Sequence, residues 1–299
     1  MSRKTKSPFA PRQLPLSNTT LARQVAKQNL TSLNHSLWVT ENSYPLVRSS
    51  FAAITMPTGV DSHGSYGTAS DWSDAVDEQR LWVRQHVLVS AASLLEVYLT
   101  SAMGAALWAC PEFADRSLSG VSEIELIRFP SRAPGLDKIV RRHVKSVLGG
   151  QWHVRFRQMA VVFGKLPLTL TALTPRLQAL QDKRNRIAHA FGQDSNALRR
   201  TPWEPMNSMQ LGVADAEEAL TCVSVAIREA DGKVFGPLIG GYELLHEYHI
   251  WLQAFTDPFT RPAPDVRQRY FRKHVASRFG HGPGKKYFDS LIQYYEAAR

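Results

Sequence analysis

The chain has 299 residues, 43% of them hydrophobic, which is enough apolar material for a sizeable core and excludes a globally disordered polypeptide. Its two cysteines, Cys110 and Cys222, exclude a disulfide framework and a cysteine zinc cluster, and fit a reducing, cytoplasmic setting. The 36 Lys and Arg against 26 Asp and Glu give a formal net charge of +10, which points to polyanionic partners, nucleic acid ahead of an anionic membrane.

Residues 1–20 are rich in Ser, Pro and basic groups and are expected to be disordered. With Arg3, Lys4, Lys6, Arg12, Arg23 and Lys27 and no acid before Glu41, the segment has the composition of a transit peptide or of a basic arm, and the arm is preferred. A short helix is expected over Leu21–Leu33, and a loop over 56–70, where Pro57, Gly59, Gly64 and Gly67 fall. Ser70 or Ser73 can cap a long helix with Asp74, Asp77 and Glu78 at its positive end and Pro111 as its stop.

That helix carries an apolar run, Val87 to Cys110, in which Glu96 is the one charge. The length would span a bilayer, but a carboxylate at the centre is costly there, so a helix buried in a bundle or at a dimer interface is expected and no membrane partner is assigned. Further helices are expected at about 135–148 (closed by Gly149 and Gly150), 151–163, 174–190, 212–231, 238–255, 264–278 and 285–298. Period-two strand patterning and internal repeats are lacking, so the expected fold class is all-α. The domain organisation expected is a basic, partly disordered arm over 1–40, a helical domain over 41–258, and a basic, aromatic helical extension over 259–299.

The segment Gln181-Asp182-Lys183-Arg184-Asn185-Arg186-Ile187-Ala188-His189-Ala190-Phe191-Gly192 carries the chemistry. Leu177, Leu180, Ile187, Ala188 and Phe191 form an apolar stripe, and Arg184 falls inside it, where a guanidinium needs a partner, an interface or a ligand. Asn185 and His189 are four residues apart and share a neighbouring face. Glu96, the lone charge of its own apolar helix, is the expected partner of Arg184. A second Arg-x4-His pair, Arg269 and His274, has Tyr270 where the first has Asn185 and is read as a decoy.

Arg184-Asn185-x-x-x-His189 resembles the signature of the HEPN family of helical ribonucleases, over about residues 72–255 and specifically at 181–192. The resemblance implies a HEPN-like helical bundle and metal-independent cleavage of RNA by its own 2′-OH, leaving a 2′,3′-cyclic phosphate, with no cofactor. It implies catalytic roles for Arg184 on the phosphoryl oxygens, Asn185 on the phosphate or the histidine tautomer, His189 as proton carrier and Glu96 as the residue that orients them. It also implies a homodimer with a composite active site, a toxin or anti-phage role, and a possible antitoxin or regulatory partner. Where some family toxins have a modifiable Tyr two residues after the His, this chain has Phe191. The alternative is a non-catalytic RNA-binding or protein-interaction module on the same fold.

Lys183, Arg186, Arg199, Arg200, Trp203, Arg272 and Lys273 are the expected substrate contacts. The loop holding Arg199, Arg200 and Trp203 reads either as a stacking platform for single-stranded RNA or as a solvated loop. The C-terminal aromatics among the basic residues read either as an RNA surface or as a cap packed on the core. Glu243-x-x-His246 is half of a di-iron helix motif without its second half, so no metal site is assigned.

Overall fold

In the computed structural model, residues 9–14, 19–50, 69–190, 209–255, 262–280 and 282–297 are described, and all regular structure among them is helical. In chain order the α-helices are α1 (Leu21–Ser50), α2 (Ala69–Ala109), α3 (Glu123–Arg128), α4 (Leu136–Leu148), α5 (Trp152–Phe163), α6 (Leu168–Thr171), α7 (Thr174–Ala190), α8 (Val213–Ala230), α9 (Gly236–Ile239), α10 (Tyr242–Gln253), α11 (Pro264–Phe279) and α12 (Lys285–Ala297). The all-α class is therefore established. The chain divides into two compact units, the first made of residues 1–26, 96–174 and 226–299, the second of 27–95 and 175–225. The dividing points fall inside α1, α2 and α8 and just after the start of α7.

The second unit is organised by a buried carboxylate. Glu41 of α1 is buried and accepts hydrogen bonds from Arg80 Nε at 2.9 Å and from Arg84 Nε at 2.7 Å, both on α2. Burial pushes the Glu41 carboxyl up, but the bonds from Arg84 and Arg80 outweigh it and hold the group below the ordinary range. These pairs explain why α1 runs for 30 residues instead of ending near Leu33: the helix is tied to α2 by charges, not by an apolar stripe that periodicity would reveal. Leu37, Val87, Leu88, Leu95, Leu177, Leu180, Ala219 and Val223 fill the apolar interior of this unit.

In the first unit, α3 and α4 build a cluster with the end of α2, formed by Leu107, Leu126, Ala133, Leu136 and Val140. Ser122 and Glu125 close a reciprocal capping box at the start of α3. The described part of the expected N-terminal arm is docked, which corrects the expectation of disorder there. Phe9 packs edge-on against Tyr287 at 5.3 Å, and Arg12 Nη1 donates to Ala109 O at 2.9 Å. The arm lies so close to Gly240 and Gly241 that a Cβ on Gly240 (φ 51°) would stand 2.2 Å from Pro11 O.

The C-terminal extension is likewise a packed cap. Phe271, Phe279, Tyr287 and Phe288 are buried, with Phe271 against Phe288 at 5.4 Å, while Tyr270 remains exposed. Over Ser70–Ala109, α2 is long and apolar enough to cross a membrane, with mean hydropathy 1.5 in its most apolar window, of which 44% is buried.

Two acids fix the start of α1. Thr20 Oγ1 donates to Asp231 Oδ1 at 2.5 Å, and Leu21 N donates to Glu243 Oε2 at 2.6 Å, so both carboxylates sit at the positive end of the helix. Burial drives the Glu243 carboxyl up to about 7, against the lowering effect of the Leu21 and Ala22 amides and with a further push from Asp231. A carboxyl raised from its ordinary 4.5 binds its proton more tightly folded than unfolded, so its contribution is greatest at low pH and is lost as pH rises from about 4.5 to about 7. Glu243→Gln should therefore flatten a decline in stability, on the order of 2–3 kcal/mol, across that window. Urea titrations of both proteins at intervals through the window measure it, and parallel curves would contradict the assignment.

Candidate functional site

Helix α7 begins with Thr174 and Pro175 and reaches Ala190, so the motif lies in its last two turns, as the sequence predicts. Leu177, Leu180 and Ile187 are buried on one face, and Arg184 occupies the same face half-buried. Ala188, expected on that stripe, is exposed. Phe191 lies outside the described residues.

The structure brings Arg184 and Asn185 together: the guanidinium Nη1 donates to Asn185 Oδ1 at 3.1 Å. Among the described residues Arg184 forms no ion pair. Its neighbours on the helix are differently placed. Lys183 Nζ reaches Asp215 Oδ1 at 2.5 Å, and that bond, working against burial, holds the Asp215 carboxyl below its ordinary range. Lys183 is thus a helix-to-helix tie between α7 and α8 first, while Arg186 is exposed. Of His189 the backbone is described, one helical turn beyond Asn185. Arg199, Arg200 and Trp203 lie outside the described residues. Arg272 and Lys273 are both exposed on α11.

The expected Glu96–Arg184 pair is corrected. Glu96 accepts from Arg155 Nη1 at 3.1 Å, and its side chain is 40% exposed while that of Arg155 is 6% exposed. The buried charge that needs a partner is therefore Arg155, not Glu96. Its Nε also donates to Gly150 O at 2.9 Å, and its guanidinium lies 4.7 Å from the centre of the Trp152 ring. The signal was present in the sequence: Trp152, Arg155, Phe156 and Met159 have helical spacing, and Arg155 interrupts that apolar face as Arg184 interrupts its own. Glu96 belongs to the first unit and Arg184 to the second.

The histidine of the decoy pair is engaged in structure too. His274 Nε2 and Arg278 Nη1 both meet Glu247 Oε1, at 2.7 and 2.5 Å, and Arg269 is exposed. A cavity of about 520 Å³ in the first unit is lined by Trp108, Asp137, Tyr242, Glu243, His246 and Glu247, among others. His246 stacks on Tyr242 at 5.8 Å, and burial lowers the pKa of its ring. Of its three carboxyl groups, Asp137 pairs with Arg141 and Glu247 with His274 and Arg278, while Glu243 holds the start of α1.

Comparison with protein-family models, with curated proteins and with solved structures finds no match.

Glu96→Gln should destabilise the chain by about 1–2 kcal/mol, because it takes the charged partner from a buried guanidinium whose other contacts persist. Chemical denaturation measures this. A stability within about 0.5 kcal/mol of the parent would show that Gly150 and Trp152 suffice for Arg155.

Proposed function

We propose that the chain is a HEPN-type endoribonuclease that cuts RNA without a metal, by attack of the 2′-OH on the adjacent phosphorus. The observation that carries this reading is a half-buried guanidinium, Arg184, bonded to Asn185 Oδ1 and in no ion pair among the described residues. A guanidinium on a packed face with no carboxylate is a site with unmet demand for an anion, and a phosphate matches its fork of donors.

In this mechanism Arg184 stabilises the charge that grows on the non-bridging phosphoryl oxygens. Asn185, bound to the guanidinium, keeps it aimed and can donate its own amide to the phosphate. His189 takes the 2′-OH proton or returns one to the leaving 5′-oxygen, since an ordinary imidazole titrates near working pH. Five residues separate Arg184 from His189, about 140° around a helix, so one copy of α7 does not aim both at one phosphorus. Two copies of the chain, each supplying the motif to a shared groove, resolve this, and the proposed active form is a homodimer. Arg186, Arg272 and Lys273 are exposed and would meet backbone phosphates, and the sequence adds Arg199 and Arg200 as further phosphate contacts and Trp203 as a base-stacking residue. Glu96 has no place in this mechanism, because its partner is Arg155. A toxin or defence role, with a regulatory partner that restrains the nuclease, is the biological setting this chemistry suits.

The test is cleavage of RNA in EDTA by the purified chain. Arg184→Ala and His189→Ala should each lose activity about 100-fold or more while binding RNA within a few-fold of the parent, and Asn185→Ala should lose less. RNA that is bound but never cut by the parent would instead make the chain a binding module.

A further inference from the structure

From Lys138 through Gln181 the chain has no Asp or Glu, while it has Lys138, Arg141, Arg142, Lys145, Arg155, Arg157, Lys165 and Arg176. The stretch thus carries eight formal positive charges of a net +10. Six of the eight, all but Arg155 and Arg176, are exposed side chains of the first unit, on α4, on α5 and on the turn after α5.

On α4 the cations are arranged, not scattered. At 100° per residue Lys138, Arg141, Arg142 and Lys145 fall within an arc of about 100° and along about 10 Å of axis. Leu136, Val140 and Val147, all buried, lie diametrically opposite. Arg141 pairs with Asp137 at 2.5 Å, and among the described residues Lys138, Arg142 and Lys145 meet no carboxylate. Helix α5 packs against α4 and turns His153 and Arg157 outward.

We propose that the exposed face of α4 is a sequence-independent RNA-binding surface that holds the phosphate backbone of a single strand. Its cations lie about one phosphate spacing apart or less, and among the described residues Asp137 is the one acid paired with them. A lipid surface fits less well, because an interfacial helix needs an apolar face for the bilayer and that of α4 is spent on the cluster with Leu107 and Leu126. The proposal rests on RNA being the partner in the reading above, but not on cleavage.

The experiment measures binding of the full chain to a mixed-sequence 2′-O-methyl RNA oligonucleotide, which lacks the attacking hydroxyl, across a series of salt concentrations. Each phosphate contact contributes about 0.7 to the slope of log K against log salt for a single strand. Lys138→Gln/Arg142→Gln/Lys145→Gln should flatten the slope by about 2, at unchanged helical content and melting temperature. The control Lys27→Gln/Lys285→Gln/Lys286→Gln removes as much charge elsewhere and should change it by less than about 1. An unchanged slope in the α4 variant, or equal flattening in both, would overturn the proposal. So would vesicles of phosphatidylserine and phosphatidylcholine that bind through α4 while RNA binding is intact. Failure to cut unmodified RNA with the slope result as expected would leave this surface standing and remove the nuclease.

Discussion

Burying a guanidinium is costly unless a carboxylate or carbonyl oxygen meets it, and the helices of this chain carry several on their packed faces. Arg80 and Arg84 meet Glu41, and Arg84 also reaches Leu211 O at 3.0 Å. Arg155 meets Glu96 and Gly150 O. Each of these contacts ties two segments of one unit together, so the helices are held in register by charge as well as by apolar packing. Arg184 differs from these in that, among the described residues, it meets no carboxylate, its partner being the amide oxygen of Asn185. The nuclease reading depends on that difference.

Several acids of the chain are consumed in the same way. Glu41, Asp231 and Glu247 are buried among arginines, helix amides and hydroxyls, and Glu243 joins Asp231 at the start of α1. What is left at the surface is an excess of cations, concentrated where acids are missing from the sequence. In the first unit that excess includes the exposed cations of α4.

Much of the helical architecture was legible in the sequence because its punctuation is strong. Pro111 stops α2, Gly149 and Gly150 close α4, and Thr174-Pro175 opens α7, as local rules require. What was not legible depends on contacts distant in sequence. The length of α1 follows from ion pairs to α2, and the order of residues 9–14 follows from aromatic packing against α12 and from the missing side chains of Gly240 and Gly241. The site was half legible. The position of Arg184 on the packed face of α7 follows from spacing alone, but the partner of Glu96 does not, since Arg155 and Arg184 both interrupt apolar faces and only folding distinguishes them. The aromatic residues of the C-terminal segment, readable as a stacking surface, are mostly core because the cap has few other apolar groups to bury.

The most direct test of the central claim is the chemistry at the cut. RNA carrying a single 2′-deoxy nucleotide at a mapped cleavage position should resist cleavage there alone, while neighbouring positions in the unmodified strand yield 2′,3′-cyclic phosphate and 5′-hydroxyl ends in EDTA. Cleavage that persists at the deoxy nucleotide, or that leaves a 5′-phosphate, would contradict a mechanism in which Arg184, Asn185 and His189 serve attack by the neighbouring 2′-OH.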